Sequence, residues 1–287
     1  MYYGAIEAGG TKFVCAVSDS NLNIVEKINI PTTEPKDTMK EVFRFFNNYS
    51  LQSIGIGSFG PIDVNKESKK YGYITTTPKK GWSDFDFVGF VQNQFDIPIA
   101  WTTDVNASAY GEYKLGGAHR ANSCLYLTVG TGIGGGAIIN DGILEGFGHP
   151  EMGHILIRKH PEDNFDGNCP FHSNCLEGLA SGPAIEKRIQ NKANSLKEDD
   201  PYWNIESYYL AQALVNYTFI LRPEVIILGG GVMDQKHLFP KIRKEYKNLM
   251  KDYVNTLDLD EFIIEPGLNG DQGLMGCLLL AKDEINK

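Results

Sequence analysis

The chain has little cysteine, no long apolar run and no surplus of positive charge, and each shortage excludes a class of protein. Five cysteines in 287 residues are few, and an odd number, and in a reducing compartment the spacing of the local pair, Cys169 and Cys175, points to metal ligation and away from a disulfide framework. No segment approaches the ~18 uninterrupted apolar residues of a membrane span. The start, Met1-Tyr2-Tyr3-Gly4-Ala5-Ile6-Glu7, has neither the basic beginning nor the apolar stretch of a secretory signal, and a cytoplasmic location is the expectation. Lys and Arg total 27 against 36 Asp and Glu, a net charge of −9 that argues against nucleic-acid binding. Any anionic ligand must then be held locally. Low-complexity tracts are missing too. With 42% hydrophobic and 22% charged residues, the composition is that of an ordinary globular protein long enough for two domains.

What is present is a device used twice. Residues 2–7 read as a strand, Ala8-Gly9-Gly10-Thr11-Lys12 as a tight turn and 13–18 as a second strand. A strand at 24–30 and a helix carrying Val42, Phe43, Phe45 and Phe46 follow. Then come a buried strand at 53–57, a turn-rich loop over 58–83, a helix at 85–95, a strand at 98–102 and a helix at 105–115. After Gly116-Gly117 the pattern restarts with a strand at 123–129, a glycine turn over 130–136 and a strand at 137–140. The repeat predicts two related α/β domains, 1–117 and 118–271, with a last helix at 272–287 returning to the first. A buried strand at 224–228 runs into Gly229-Gly230-Gly231, and such strand exits are where open α/β sheets take ligands.

Small residues in Gly9-Gly10-Thr11-Lys12 let backbone N–H groups approach phosphate oxygens, with the Thr hydroxyl and the Lys charge added. No Walker A spacing occurs. The glycines over 130–135 match a bare Gly-x-Gly-x-x-Gly but lead into a strand, which fails the dinucleotide-fold test. Asp104, between a strand and a helix, is a candidate proton acceptor for an attacking hydroxyl, or else a helix N-cap. His154, His172, Cys169 and Cys175, all between 148 and 175, raise a metal site, whereas Cys15, Cys124 and Cys277 lie in apolar runs as core thiols.

These motifs resemble the ROK family of sugar kinases and sugar-sensing repressors over essentially the whole chain. The family's Asp-x-Gly-Gly-Thr-Lys is here Glu7-Ala8-Gly9-Gly10-Thr11-Lys12, and its catalytic segment is Thr103-Asp104-Val105-Asn106-Ala107-Ser108-Ala109-Tyr110-Gly111-Glu112. The second phosphate loop is Thr128-Val129-Gly130-Thr131-Gly132-Ile133-Gly134-Gly135-Gly136, followed by Glu151-Met152-Gly153-His154 and Cys175-Leu176-Glu177. The resemblance implies an α/β fold of two ribonuclease-H-like domains of the actin, hexokinase and heat-shock-70 superfamily, with ATP and sugar in the cleft between them. It implies ATP-dependent transfer to the 6-hydroxyl of a hexose, with Asp104 as general base and Mg2+ as the nucleotide's metal. Gly10, Thr11, Lys12, Thr131 and Gly132 would meet the phosphates, and Pro183 with Gly230, Gly231, Val232, Met233 and Asp234 the adenosine. Thr103, Asp104, Glu151, His154 and Glu177 would hold the sugar. His154, Cys169, His172 and Cys175 form a closed set suited to a structural Zn2+.

Three departures from the family pattern stand out: Glu7 for Asp, Thr103 for Asn, and His172 for one cysteine of the metal cluster. Together with the loop Thr75-Thr76-Thr77-Pro78-Lys79-Lys80-Gly81-Trp82 they resemble the bacterial fructokinase branch. Fructose is therefore the expected acceptor, with mannose, glucose or an N-acetylhexosamine as alternatives, and a homodimer without nucleic-acid or membrane partners is expected. A sugar-binding regulator is the alternative of another class. Repressors of the family carry an added N-terminal helix-turn-helix, for which a phosphate loop at residue 7 leaves no room. An actin-like filament ATPase would not need Glu151, His154 and Glu177.

Overall fold

The Gly9-Gly10 turn folds β1 (Tyr2–Ala8) back onto β2 (Lys12–Ser18), closed by the Gly9 N–H donating to the Lys12 carbonyl. This hairpin opens a computed structural model that describes residues 1–286. β3 (Ile24–Pro31) extends it antiparallel, with Pro31, which cannot donate, at the end of an edge strand. Pro35 then starts α1 (Pro35–Phe46), whose acidic first turn and basic last turn suit its dipole. The chain returns as β4 (Leu51–Ser58), passes through the short pair β5 (Tyr73–Ile74) and β6 (Phe85–Asp86), and enters α2 (Phe87–Gln92), capped by Asp86. β7 (Ile99–Thr103) and α3 (Asp104–Leu115) complete this half. The sheet order is β3-β2-β1-β4-β7, with β4 and β7 parallel to β1, a ribonuclease-H-like arrangement.

Both faces of this sheet are covered. On one, an aromatic-rich core gathers Phe13, Trp82, Phe87 and Trp101, with Trp82 fully buried. On the other, α3 lies with the last helix, α9 (Gln272–Glu284, numbered by its place in the chain), against small residues. A side chain at Gly55 would collide with the Cys277 carbonyl, and one at Gly276 with the Ala107 carbonyl, so glycine at both positions sets how closely α9 approaches. The buried Glu112 carboxylate accepts the Gly267 N–H at 2.9 Å and the Leu268 N–H at 3.0 Å, which anchors the chain as it returns to α9. Lys287, the end of the expected last helix, lies outside the described residues.

The second sheet repeats the order. β8 (Cys124–Val129) and β9 (Ile133–Ile139) form the hairpin, β10 (Gly142–Ile143) extends it, and β11 (Val225–Gly229) and β12 (Ile263–Ile264) lie parallel beyond β8 in the order β10-β9-β8-β11-β12. Its helices are α4 (Leu176–Ala180), α5 (Gly182–Ile189), α6 (Tyr202–Leu221), α7 (Leu238–Met250) and α8 (Leu259–Phe262). The chain divides into two compact units, one of Met1–Gly116, Ile143–Pro150 and the residues from Gly267 on, the other of Gly117–Gly142 and Glu151–Pro266.

Several expected boundaries change. β9 begins at Ile133, inside the run read as a turn, because Gly134, Gly135 and Gly136 pair with Thr128, Leu127 and Tyr126. The turn proper is closed by the Gly130 N–H donating to the Gly132 carbonyl. The expected helix at 85–95 is shorter, since Phe85 pairs with Ile74 and Asp86 serves as the cap. No helix of the described residues is long and apolar enough to cross a membrane.

Candidate active site

In the first unit, parallel pairing aligns the carboxyl ends of three strands: Ala8 faces Ser58, and Ser58 faces Thr103. The Gly9–Lys12 turn, Glu7 and Asp104 therefore gather at one end of the sheet. The turn is braced from behind by Thr32, whose hydroxyl donates to the Gly9 carbonyl at 2.7 Å and whose N–H donates to the Thr11 carbonyl at 2.9 Å. Gly10, Thr11 and Lys12 are left exposed, with nothing within 4 Å of a side chain placed at Gly10.

Thr103, not Asp104, caps α3: its hydroxyl oxygen accepts the Asn106 N–H at 3.1 Å. Asp104 is the first helical residue, where the helix N-terminus favours its negative charge, and its Oδ1 accepts the Val105 N–H at 2.9 Å. Glu7 sits close by, its carboxyl against Gly273 at the start of α9. Burial pushes the Glu7 carboxyl up to about 7. Asp104 and Asp271 push the same way, while Lys27 and Lys12 oppose them. Carboxylates crowded enough to hold back a proton are hard oxygen donors short of positive charge, which is a setting that suits Mg2+.

In the second unit, the ligand atoms of His154, Cys169, His172 and Cys175 lie within 4.8 Å of one another. Cys169 Sγ is 3.9 Å from His154 Nδ1 and 3.8 Å from His172 Nδ1, and Cys175 Sγ is 3.7 Å from His154 Nδ1. A tetrahedral zinc with bonds of ~2.0–2.3 Å requires ligand separations of about 3.3–3.8 Å, close to these three, and the two-nitrogen, two-sulfur donor set suits that ion. Each ligand has local support. His154 ends the 3-10 turn Met152–His154, and Cys175 caps α4, its sulfur accepting the Gly178 N–H at 3.3 Å. Phe171 donates its N–H to Cys169 Sγ at 3.4 Å. Burial, with Cys169 adding to it, pushes the Cys175 thiol up to about 11; a bound cation would supply the charge that lets it ionise.

The loop leading to Cys169 is fixed by a buried ionic group that sequence reading did not find. Arg188 bridges Asp163 (Nη2 to Oδ2, 3.1 Å), the Leu179 carbonyl (2.7 Å) and the Tyr202 hydroxyl (2.7 Å), with its guanidinium over the Phe165 ring. Burial alone would raise Asp163. The Tyr209 hydroxyl, the Phe165 N–H and Arg188 outweigh it and hold the carboxyl low. Behind them, complete burial pushes Glu206 up to about 8, opposed by its bond from Tyr202 and by Arg188, and its Oε1 has no partner. A carboxyl raised in the folded state contributes stability that is full below its unfolded value of 4.5 and is lost as pH rises through about 8. Glu206→Gln is therefore expected to gain stability relative to the wild type between pH 5 and 9. Urea unfolding across that range checks it, and parallel pH curves for the two proteins would assign the dependence elsewhere.

Three separated segments meet around the second hairpin turn. The Gly182 N–H donates to the Gly130 carbonyl at 2.7 Å, and the Val232 N–H to the Val129 carbonyl at 3.0 Å. Gly230 has a positive φ of 89° and lies too close to the Val129 carbonyl to carry a side chain. Thr131, Gly132, Pro183 and the turn Gly230, Gly231, Val232, Met233, Asp234 are thus brought together. Glu177 is placed unexpectedly: its Oε2 accepts the Ile133 N–H at 3.0 Å, so the carboxylate touches the glycine turn. Glu151 is exposed, its carbonyl accepting the His154 N–H at 3.0 Å.

Two ribonuclease-H-like units, each entered by a strand, glycine turn and strand, define the actin and hexokinase class of folds. Residues 3–284 match the ROK family model, and the chain belongs to the ROK family. The fructokinase of Pediococcus pentosaceus is 49% identical over 282 residues, which cover 98% of each chain. The fructokinase of Streptococcus mutans is 46% identical over 287 residues, covering 98% of this chain and 97% of that one. The fold is shared with a ROK hexokinase from Thermus thermophilus at a TM-score of 0.83 and 24% identity, over 100% of this chain and 99% of that one.

Proposed function

We propose that the protein is an ATP-dependent hexose kinase that transfers the γ-phosphoryl group to the 6-hydroxyl of fructose. The observation that carries this reading is the 49% identity to a fructokinase across 98% of both chains. The placement of Asp104 supports it. A carboxylate at a strand end, held by its own helix N-terminus, is suited to accept the proton that the attacking hydroxyl loses.

In the first unit, Gly10, Thr11 and Lys12 offer an exposed turn with N–H, hydroxyl and ammonium donors to phosphate oxygens. Glu7 and Asp104, close enough to perturb one another, are carboxylates that would help to hold the nucleotide's Mg2+, and the ion would supply neutralisation of charge on the phosphates. In the second unit, Thr131 and Gly132 offer a further phosphate turn, and Pro183 with the 230–234 turn a border for the adenosine. Glu151, His154 and Glu177 are assigned to sugar hydroxyls, as Asp104 and Thr103 are in the first unit. His154, Cys169, His172 and Cys175 hold a structural Zn2+, which orients His154 and ties the intervening loop to α4. The reading includes a cytoplasmic homodimer. Support for a second copy comes from an exposed apolar group in which Phe219 and Tyr253 are stacked edge to face beside Ile220, 76% exposed.

A coupled ADP-release assay over fructose, mannose, glucose and N-acetylglucosamine tests the acceptor. Fructose is expected to give the highest kcat/KM, with mannose the nearest competitor. Glucose as the best substrate would remove fructose and keep the kinase.

A further inference from the structure

We infer that Glu177 is a positioning residue for the glycine turn that ends at Ile133, so that the metal-bearing segment sets nucleotide affinity and not only the sugar contact. The inference rests on reading that turn as a phosphate cradle. Ile133 is the residue at which the turn becomes β9, and segments that supply metal ligands bond its N–H and pack against its carbonyl. Its N–H donates to Glu177 Oε2 at 3.0 Å, and Glu177 lies in the first turn of α4, two residues past Cys175. Its carbonyl lies directly against Gly153, where a side chain would collide with the carbonyl oxygen, and Gly153 immediately precedes His154.

The other end of the turn is held by the continuation of the same segment. The Ser181 N–H donates to the Glu177 carbonyl at 3.2 Å, and the Gly182 N–H donates to the Gly130 carbonyl at 2.7 Å. Glycine at 132 leaves room for this carboxylate, since a Cβ there would come within 2.7 Å of Glu177 Oε2 and displace it. The Gly130 and Ile133 N–H groups are thus both spent inside the protein, on the Gly132 carbonyl and on Glu177. The donors that the turn can turn toward a phosphate are those of Thr131 and Gly132, and their direction is fixed by the two anchored ends. A carboxylate accepting a backbone N–H holds it more firmly than a neutral group would. It also places a negative charge behind the turn, a cost that is offset only if the geometry it enforces is needed.

Calorimetric titration of the full chain with MgADP, without sugar, isolates this role because no sugar hydroxyl is then available to Glu177. Glu177→Ala and Glu177→Asp, which remove or withdraw the acceptor, are expected to weaken MgADP binding about tenfold, the scale for losing a hydrogen bond to a charged group. Glu177→Gln keeps an amide oxygen at the same reach and is expected to stay within about threefold of the wild type. That rescue separates positioning from a general loss of fold, and the Asp variant serves if the Ala variant does not fold. MgADP affinity within twofold of the wild type in both Ala and Asp variants, or equal loss in the Gln variant, would overturn the inference and leave the kinase reading intact. A wild-type chain that binds no nucleotide would overturn both.

Discussion

Asp104→Asn lowers turnover with fructose by roughly 100-fold or more, the usual scale for loss of a general base, and leaves fructose binding largely in place. The substitution is chosen because the amide keeps an oxygen for the Val105 N–H, so the first turn of α3 and the Thr103 cap survive. What it removes is the capacity to take up a proton. It also removes one of the negative charges that push the Glu7 carboxyl up to about 7. Glu7 should therefore titrate at lower pH in the variant, a change that carbon-detected NMR of the side-chain carboxyl follows independently of activity. Turnover above about a third of the wild type would take Asp104 out of the proton-accepting role.

Removal of the metal is the second large effect expected. Protein purified without added metal should contain one zinc per chain, and prolonged exposure to a strong zinc chelator should lower the melting temperature by on the order of 10 °C. The reason is the composition of the loop between His154 and Cys175, which has little apolar core of its own. It is held by the four ligands, by the Ile157 N–H donating to the Asn174 carbonyl, and by the buried Asp163–Arg188 pair. Without the cation, the ligand thiols face a setting in which burial pushes Cys175 up to about 11, so the apo site has no charge to hold it closed. Cys175→Ser should behave as the chelated protein does, and Mg2+ should not restore it because that ion prefers oxygen donors. Zinc near zero in fully active protein would show that these four residues do not form the site.

Much of this was legible in the sequence where the signal is local. The hairpin at β1 and β2 is spelled out by apolar strands on either side of Gly9-Gly10, and the second sheet repeats it around Gly130. The gathering of His154, Cys169, His172 and Cys175 is legible because these residue types are rare in the chain and closely spaced. Other features depend on partners far apart in sequence. The extent of β9 could not be read from glycines, because Gly134 to Gly136 look like a turn until Tyr126 to Thr128 pair with them. α6 gives no helical signal in the sequence because it is buried on most sides and carries no clear polar stripe. Asp163, Arg188 and Glu206 are ordinary charged residues in the sequence, and only folding makes them a buried network. Glu112 closes the motif that begins at Thr103, yet its task, holding the Gly267 and Leu268 N–H groups, lies 155 and 156 residues away.

Of the three acidic residues expected at the sugar, Asp104, Glu151 and Glu177, the last has a further contact that its motif does not announce. Its spacing from Cys175 is as expected, but its carboxylate reaches the Ile133 N–H, a contact no spacing rule specifies. Thr103 is similar in kind: a threonine before a helix is a good N-cap, and the hydroxyl oxygen accepts the Asn106 N–H in that role.

Phosphoryl transfer from ATP to the 6-hydroxyl of fructose is tested most directly by phosphorus NMR of the products formed by the purified chain with ATP, Mg2+ and fructose. ADP and fructose 6-phosphate are expected in equal amounts, formed by the wild type and not, on the same timescale, by Asp104→Asn. ADP accompanied by free phosphate alone, or phosphate on a different hydroxyl of the sugar, would contradict it.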